Sequence, residues 1–152
     1  MSDLSELYQQ LIVDHYKSPR NHHALAHANH SAEGFNPLCG DHVRVFLEMD
    51  GDTITDIGFT GYGCAISTAA ASTMTVALKG KSRADADRLF DEFRAMLQSN
   101  PDAPADVDLD TLGSLAAFSG VCQFPTRIKC ASLPWHALHA ALHDTAAEVM
   151  TE

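Results

Sequence analysis

Apolar residues at three- and four-residue spacing open the chain. Leu4, Leu7, Tyr8, Leu11 and Ile12 share one face of a helix expected over residues 3–17. Asp3 with Glu6 resembles a capping box, and Ser18-Pro19 stops the helix, because the residue before proline avoids the α region. Residues 21–35 are polar and rich in His and Asn, which predicts a loop with a short strand near its end. The period then drops to two. Val43, Val45 and Leu47 alternate with Arg44 and Phe46, Asp50-Gly51-Asp52 signals a turn, and Ile54, Ile57 and Phe59 continue as a second strand. An alanine-rich helix follows from Ala65 to Leu78, ending at Gly80. Ser82 and Asp85 form a second capping box, opening a helix whose apolar face is Leu89, Phe93, Met96 and Leu97. Pro101 and Pro104 bound an acidic linker, and Leu109 to Phe118 predicts a short helix closed by Gly120. Pro125 suits the first turn of a helix, Pro134 interrupts it, and a final helix is expected from Trp135 to Val149 with Leu138, Leu142 and Val149 inward. The sum is an α+β fold. A small antiparallel sheet of about three strands packs on one face against helices at 3–17, 65–80, 82–98 and 135–149, and its other face stays partly solvated.

At 152 residues and 45% hydrophobic, the chain reads as one domain over 1–152 with enough apolar content for a core. No run of 18 apolar residues predicts a membrane span. The first residues are acidic and lack signal-peptide features, so a cytoplasmic location is expected. The net charge of −10 argues against nucleic acid as a partner and fits a solvated surface. Eight acids stand against three arginines between residues 82 and 110. Neither a GxGxxG nor a P-loop motif supports nucleotide binding.

The cysteines change the picture most. The hairpin places Cys39 and Asp41 just before its first strand and Cys64 just after its second. Antiparallel pairing puts those ends side by side, so these three residues should be spatial neighbours. Cys64 also enters the alanine-rich helix, where backbone N–H groups and the helix dipole favour an anionic sulfur. Cys130 follows Pro125 within two turns of a helix. Three thiolates and the Asp41 carboxylate make four anionic ligands, a tetrahedral shell for zinc or for iron in a cluster. Asp41 is also a residue type that caps turns, and each cysteine is also a small apolar residue. Without a Cys-x-x-Cys pair, a thiol oxidoreductase or a knuckle-type structural zinc module is disfavoured. Cys122 reads as a buried small hydrophobe, with a disulfide to Cys130 open under oxidative stress. His22, His23, His27 and His30 read as a solvated loop in preference to a metal site. His136, His139 and His143 recur at helical spacing and read as a solvent-facing stripe in preference to metal ligands.

Cys39-Gly40-Asp41, Gly61-Tyr62-Gly63-Cys64-Ala65-Ile66-Ser67, Lys79-Gly80-Lys81 and Phe124-Pro125-Thr126-Arg127-Ile128-Lys129-Cys130-Ala131, together with His15-Tyr16-Lys17-Ser18-Pro19-Arg20-Asn21, resemble the SufU branch of the IscU/NifU N-terminal family of iron–sulfur assembly proteins. Lys129, where the IscU branch typically has histidine, and the extra segment near 82–110 both resemble SufU. The resemblance implies a SufS-type cysteine desulfurase as partner, with downstream iron–sulfur scaffolds or apo-proteins as further ones. It implies zinc held by Cys39, Asp41, Cys64 and Cys130, and sulfur taken from the desulfurase persulfide. Cys39, on its glycine-flanked turn, is the expected acceptor. Lys129, beside Cys130, would favour its thiolate, and Arg127 is a candidate for stabilising the persulfide or the site's negative charge, or else forms a surface ion pair. The alternative it implies is a scaffold that builds a [2Fe–2S] or [4Fe–4S] cluster on the same cysteines.

Overall fold

The computed structural model describes residues 3–37, 40–98, 112–143 and 148–150 of the chain. In order, it contains helix α1 (Asp3–Lys17), strands β1 (His30–Asn36), β2 (Asp41–Asp50) and β3 (Thr53–Tyr62), helices α2 (Ala65–Leu78) and α3 (Arg83–Leu97), a 3₁₀-helix (Gly113–Gln123), helix α4 (Pro125–His143) and strand β4 (Glu148–Met150). The strands form one sheet in the order β3-β2-β1-β4. The expected antiparallel trio β1–β2–β3 is present, and β4 adds three residues parallel to β1 at the edge.

The alternation read from sequence sets the faces of the sheet. Cross-strand partners Ala32, Val45 and Phe59, then Leu47 and Ile57, point inward and are buried. Arg44 is on the other face, bonded to Glu33 at 3.0 Å and over the Phe46 ring at 5.5 Å, so that side stays half in water. Asp50 pairs with Thr53, leaving Gly51 and Asp52 as a two-residue turn, and Gly51 takes φ 61°. At Gly34 a methyl would lie 3.0 Å from Leu133 Cδ1 and 3.4 Å from Ala137 Cβ, so β1 and α4 touch directly. The open edge of β3 is covered by the loop before β1, where Phe59 N–H donates to the Asn21 carbonyl at 3.0 Å.

The ends of α1, α2 and α3 lie within two residues of expectation, for the reasons expected. Ser82 caps α3 by accepting the Asp85 N–H at 3.1 Å. Gly80 turns back with φ 84° and donates to the Ile54 carbonyl. Tyr8, Leu11 and Ile12 pack on the core, whereas Leu7, assigned inward, is 59% exposed. The Asp3 end of the first capping box, the acidic linker bounded by Pro101 and Pro104, and the expected start of the short helix at Leu109 fall outside the described residues.

Three expectations at the C-terminal end are corrected. The short helix does not close at Gly120. It is a 3₁₀-helix running to Gln123, and Leu112, Leu115, Phe118 and Val121 are all buried. Their spacing of three is the 3₁₀ period, which stacks them on one side. Pro134 does not break the last helix, which is continuous from Pro125 to His143. Proline in a helix interior costs about 3 kcal/mol, but Leu133, Trp135, Ala137 and Leu138 around it are all fully buried. Burying each large side chain is worth about 1.5–3 kcal/mol, so packing outweighs the lost backbone bond. The helix stops at His143, and Val149 lies in β4 opposite Gly34 instead of on a helix.

His15 of α1 ties the first helix to α2. Its Nδ1 lies 2.7 Å from the Ser72 hydroxyl, which also accepts the Arg20 N–H at 2.8 Å. Burial pushes the His15 pKa below the ordinary 6.5, and the Arg20 guanidinium adds to this against Asp14. The unfolded chain therefore takes up a proton near pH 6.5 that the folded chain resists. The His15 contribution is complete above that value and is lost as the pH falls below it. The urea midpoint of wild type should drop between pH 7.5 and 5.5 more steeply than that of His15→Gln, compared at equal metal content. Parallel curves would remove His15 as the cause.

Candidate metal centre

The end of the sheet where β2 begins and β3 finishes gathers the predicted ligands. Asp41 is the first residue of β2, paired across the turn with Asn36 of β1. Gly40 closes that turn with φ 71°, donating to the Asn36 carbonyl at 2.8 Å. Asp41 is thereby buried, 1% exposed. On the neighbouring strand, Gly61 takes φ 127°, and a Cβ there would stand 2.1 Å from the His42 carbonyl oxygen. Glycine is required at that point, and three residues later the chain enters α2 through its N-cap, Cys64.

Cys64 is the N-cap of α2, with extended backbone (φ −69°, ψ 171°). Its Sγ accepts the Ser67 N–H at 3.4 Å, and its own N–H donates to Asp41 Oδ1 at 2.9 Å. The sulfur sits 3.6 Å from Asp41 Oδ2. At Gly63 a methyl would press within 3.1 Å of both Asp41 Oδ1 and Ser67 Oγ, so a bare backbone lets the carboxylate and the cap approach.

Cys130 arrives from the far end of the chain, on α4, with no exposed surface. Its Sγ lies 3.8 Å from the Thr126 carbonyl one turn earlier and accepts a long contact from Asn36 Nδ2 at 3.9 Å. One ligand atom from each of Asp41, Cys64 and Cys130 lies within 4.8 Å of the others. Three of the four predicted ligands are thus together. Cys39 falls outside the described residues, between Pro37 and Gly40.

This donor set fits a soft or borderline cation. No basic side chain pairs with Asp41 among the described residues. A carboxylate buried against two sulfurs is costly unless a positive charge compensates it. Zinc accepts both thiolate and carboxylate donors at about 2.0–2.3 Å, which small side-chain rotations would reach here. Asp41 and Cys130 are closed off from water, while Cys64 is half-buried. Beside Cys64 lies an open groove lined by Ala65, Ile66, Phe124 and Arg127, with Phe124 59% exposed.

Arg127 is exposed on the first turn of α4 and reaches that groove; Lys129 is half-buried and does not line it. The Cys122 side chain is outside the description. The histidine loop gathers no metal-binding group among the described residues: His22 stacks on Phe59, and Nδ1 of His23 and of His30 lies 3.0 Å from the carbonyl oxygens of Ala24 and Ala141. The residue that sequence reasoning missed is Asn36. It is fully buried at the Cys130 sulfur. An asparagine before Pro37 reads locally as a turn former, and only its distant partner reveals another role.

Three antiparallel strands edged by β4 and packed under helices, with a candidate Cys/Asp metal site at the end where β3 hands over to α2, define a small α+β domain of the kind that could hold a metal. The chain belongs to the family of the NifU-like N terminal domain, whose model matches residues 7–145. It is 45% identical over 139 residues to the zinc-dependent sulfurtransferase SufU of Bacillus subtilis, covering 90% of each chain. It is 40% identical over 146 residues to the iron–sulfur cluster assembly scaffold protein IscU of Streptococcus pyogenes serotype M1, covering 96% of this chain and 89% of that one. A crystal structure from Fervidobacterium islandicum AW-1, assigned to the SUF-system iron–sulfur cluster assembly scaffolds, superposes with a TM-score of 0.81 at 34% identity, covering 90% and 97%.

Proposed function

We propose that this protein serves iron–sulfur cluster assembly as a zinc-dependent sulfur acceptor working with a SufS-type cysteine desulfurase in the cytoplasm. The observation that carries the reading is the convergence of Asp41, Cys64 and Cys130 within 4.8 Å from segments as distant as β2 and α4. A 45% identical zinc-dependent sulfurtransferase supports it, and no helix among the described residues is long and apolar enough to cross a membrane. Zinc held by these three residues and Cys39 would keep the sulfurs deprotonated and guard them from oxidation.

Cys39 is the acceptor in this reading. Its thiolate attacks the terminal sulfur of the partner's cysteine persulfide. A new S–S bond forms on Cys39, the partner's S–S bond breaks, and the partner cysteine leaves as its thiolate, with no external oxidant or reductant. Arg127, exposed at the groove beside Cys64, and Lys129 offset the negative charge that builds up there. Downstream scaffolds or apo-proteins receive the sulfur.

Cys39→Ser tests this directly. The variant should fail to carry radiolabelled sulfur from the desulfurase and should lose at least 10-fold of its stimulation of desulfurase turnover, about 1.4 kcal/mol in transition-state terms. Undiminished labelling and stimulation would overturn the assignment. The scaffold reading takes its support from the 40% identical IscU relative. Anaerobic reconstitution separates the two. A protein that stays colourless, keeps its zinc and accepts sulfur fits the acceptor; a brown protein that passes its cluster to an apo-ferredoxin fits the scaffold.

A further inference from the structure

A second group of metal-ligating side chains lies away from the cysteine centre, and the proposed function does not use it. Asp87 of α3 and His139 and His143 of α4 each offer one ligand atom, and these atoms lie within 4.8 Å of one another. His139 and His143 are one helical turn apart on the same side of α4, with ring centroids 4.7 Å apart. Two histidines at i and i+4 on a helix converge on one point, an arrangement that serves zinc. Asp87 faces them from the neighbouring helix, its two oxygens 2.9 and 3.0 Å from His143 Nε2. Asp91, one turn further along α3, lines the same hollow.

We propose that Asp87, His139 and His143 form a second divalent-metal site, selective for zinc-class ions and independent of the thiolate centre.

The chemistry of the donors sets the class of ion. Two neutral imidazoles and a carboxylate suit a borderline transition metal, not calcium or magnesium, which prefer all-oxygen shells. At ligand bonds of about 2.0–2.1 Å in a tetrahedron, neighbouring donor atoms stand about 3.3 Å apart. The His143–Asp87 pair needs to open by only a few tenths of an ångström from its 2.9 Å contact. The His139 nitrogen stands within 4.8 Å of both other donors. Water would complete the shell, since Asp91 is held by Arg94 at 3.3 Å.

An ordinary ion pair would account for His143 and Asp87 alone. It would not account for His139, whose ring makes no hydrogen bond with any described residue and yet stands at the same hollow. That ring is steadied by Phe90, 5.4 Å away. On the helix that carries Asp87, Asp85 and Asp91 are paired with Arg88 and Arg94, so Asp87 is the acid that meets the histidines. The expected stripe His136–His139–His143 therefore does not face solvent along its length. His136 is half-buried against Phe90, and burial, then the Arg94 guanidinium and His139, lower its pKa. Only His139 and His143 meet Asp87.

The ion would clamp the end of α4 onto α3. The test uses the full chain, stripped with chelator and titrated with Zn²⁺ by calorimetry and with Co²⁺ by visible absorption. Wild type should show two classes of site. One should give the sulfur-to-cobalt charge-transfer bands of a thiolate centre, and the other only the weak d–d bands of nitrogen and oxygen ligation. The double variant His139→Gln/His143→Gln should lose the second class and keep the charge-transfer bands. Asp87→Asn should weaken the second class at least tenfold, whereas Asp85→Asn, whose partner is Arg88, should leave it unchanged. Absence of the nitrogen-and-oxygen class in wild type, or its survival in the double variant, would overturn the proposal. Loss of the charge-transfer bands in wild type would count against the cysteine centre and leave this site standing.

Discussion

Replacing Asp41 with alanine lowers the affinity of the cysteine centre for zinc by on the order of 100-fold or more, the upper end of what loss of a supporting residue costs a metal site. The effect has two parts. A ligand oxygen goes, and so does the acceptor of the Cys64 N–H at 2.9 Å. A buried donor left without a partner costs about 1–3 kcal/mol by itself, so the N-cap of α2 loosens as the ligand set shrinks. Asp41→Asn divides the parts. It keeps an oxygen for the Cys64 N–H but removes the negative charge, and it should hold the fold better than alanine while still binding zinc poorly. Chelator competition and the intensity of the sulfur-to-cobalt bands are the measurements. Wild-type affinity in Asp41→Ala would exclude this residue from the shell, and the centre would reduce to its cysteines.

Replacing Trp135 with alanine costs about 3–5 kcal/mol of folding stability, the range for emptying a fully buried aromatic site. The ring stacks on Phe93 at 5.1 Å and lies parallel to Phe90 at 6.1 Å. Its N–H has no hydrogen-bond partner among the described residues, so its contribution is packing. Trp135→Phe should accordingly recover most of the loss. It is the chain's one tryptophan, so unfolding of the variants is best followed by circular dichroism in urea. A loss below about 1 kcal/mol would mean that the cavity collapses at little cost. The consequence reaches the metal centre. Trp135 locks α4 against α3, and α4 carries Cys130 one turn and a half upstream, so a loosened helix should also release zinc more readily.

Much of this was legible because it is local. The hairpin is an example: Val43, Val45 and Leu47 alternate, Gly51 supplies the positive φ, and antiparallel pairing brings Asp41 and Cys64 together at 3.6 Å. The capping role of Cys64 follows from its place ahead of an alanine-rich run. The readings that failed were those in which a local rule met a tertiary one. Pro134 argues for a break only until Leu133, Trp135 and Leu138 are seen buried on both sides of it. The histidines of α4 read in sequence as a solvent-facing stripe; His143 is exposed, while His136 and His139 are half-buried, and Asp87 arrives from α3.

The amino-acid order alone determined the turns, the caps and the strand faces, because each depends on neighbours within a few residues. It also determined the ligand types, since thiol and carboxylate chemistry travels with the side chain. Only the tertiary structure decided that Cys130 and Asn36 meet, that α4 runs unbroken past Pro134, and that Asp87 faces two histidines. These are contacts between helices and strands distant in sequence, set by which apolar faces bury one another, and no short-range signal encodes them.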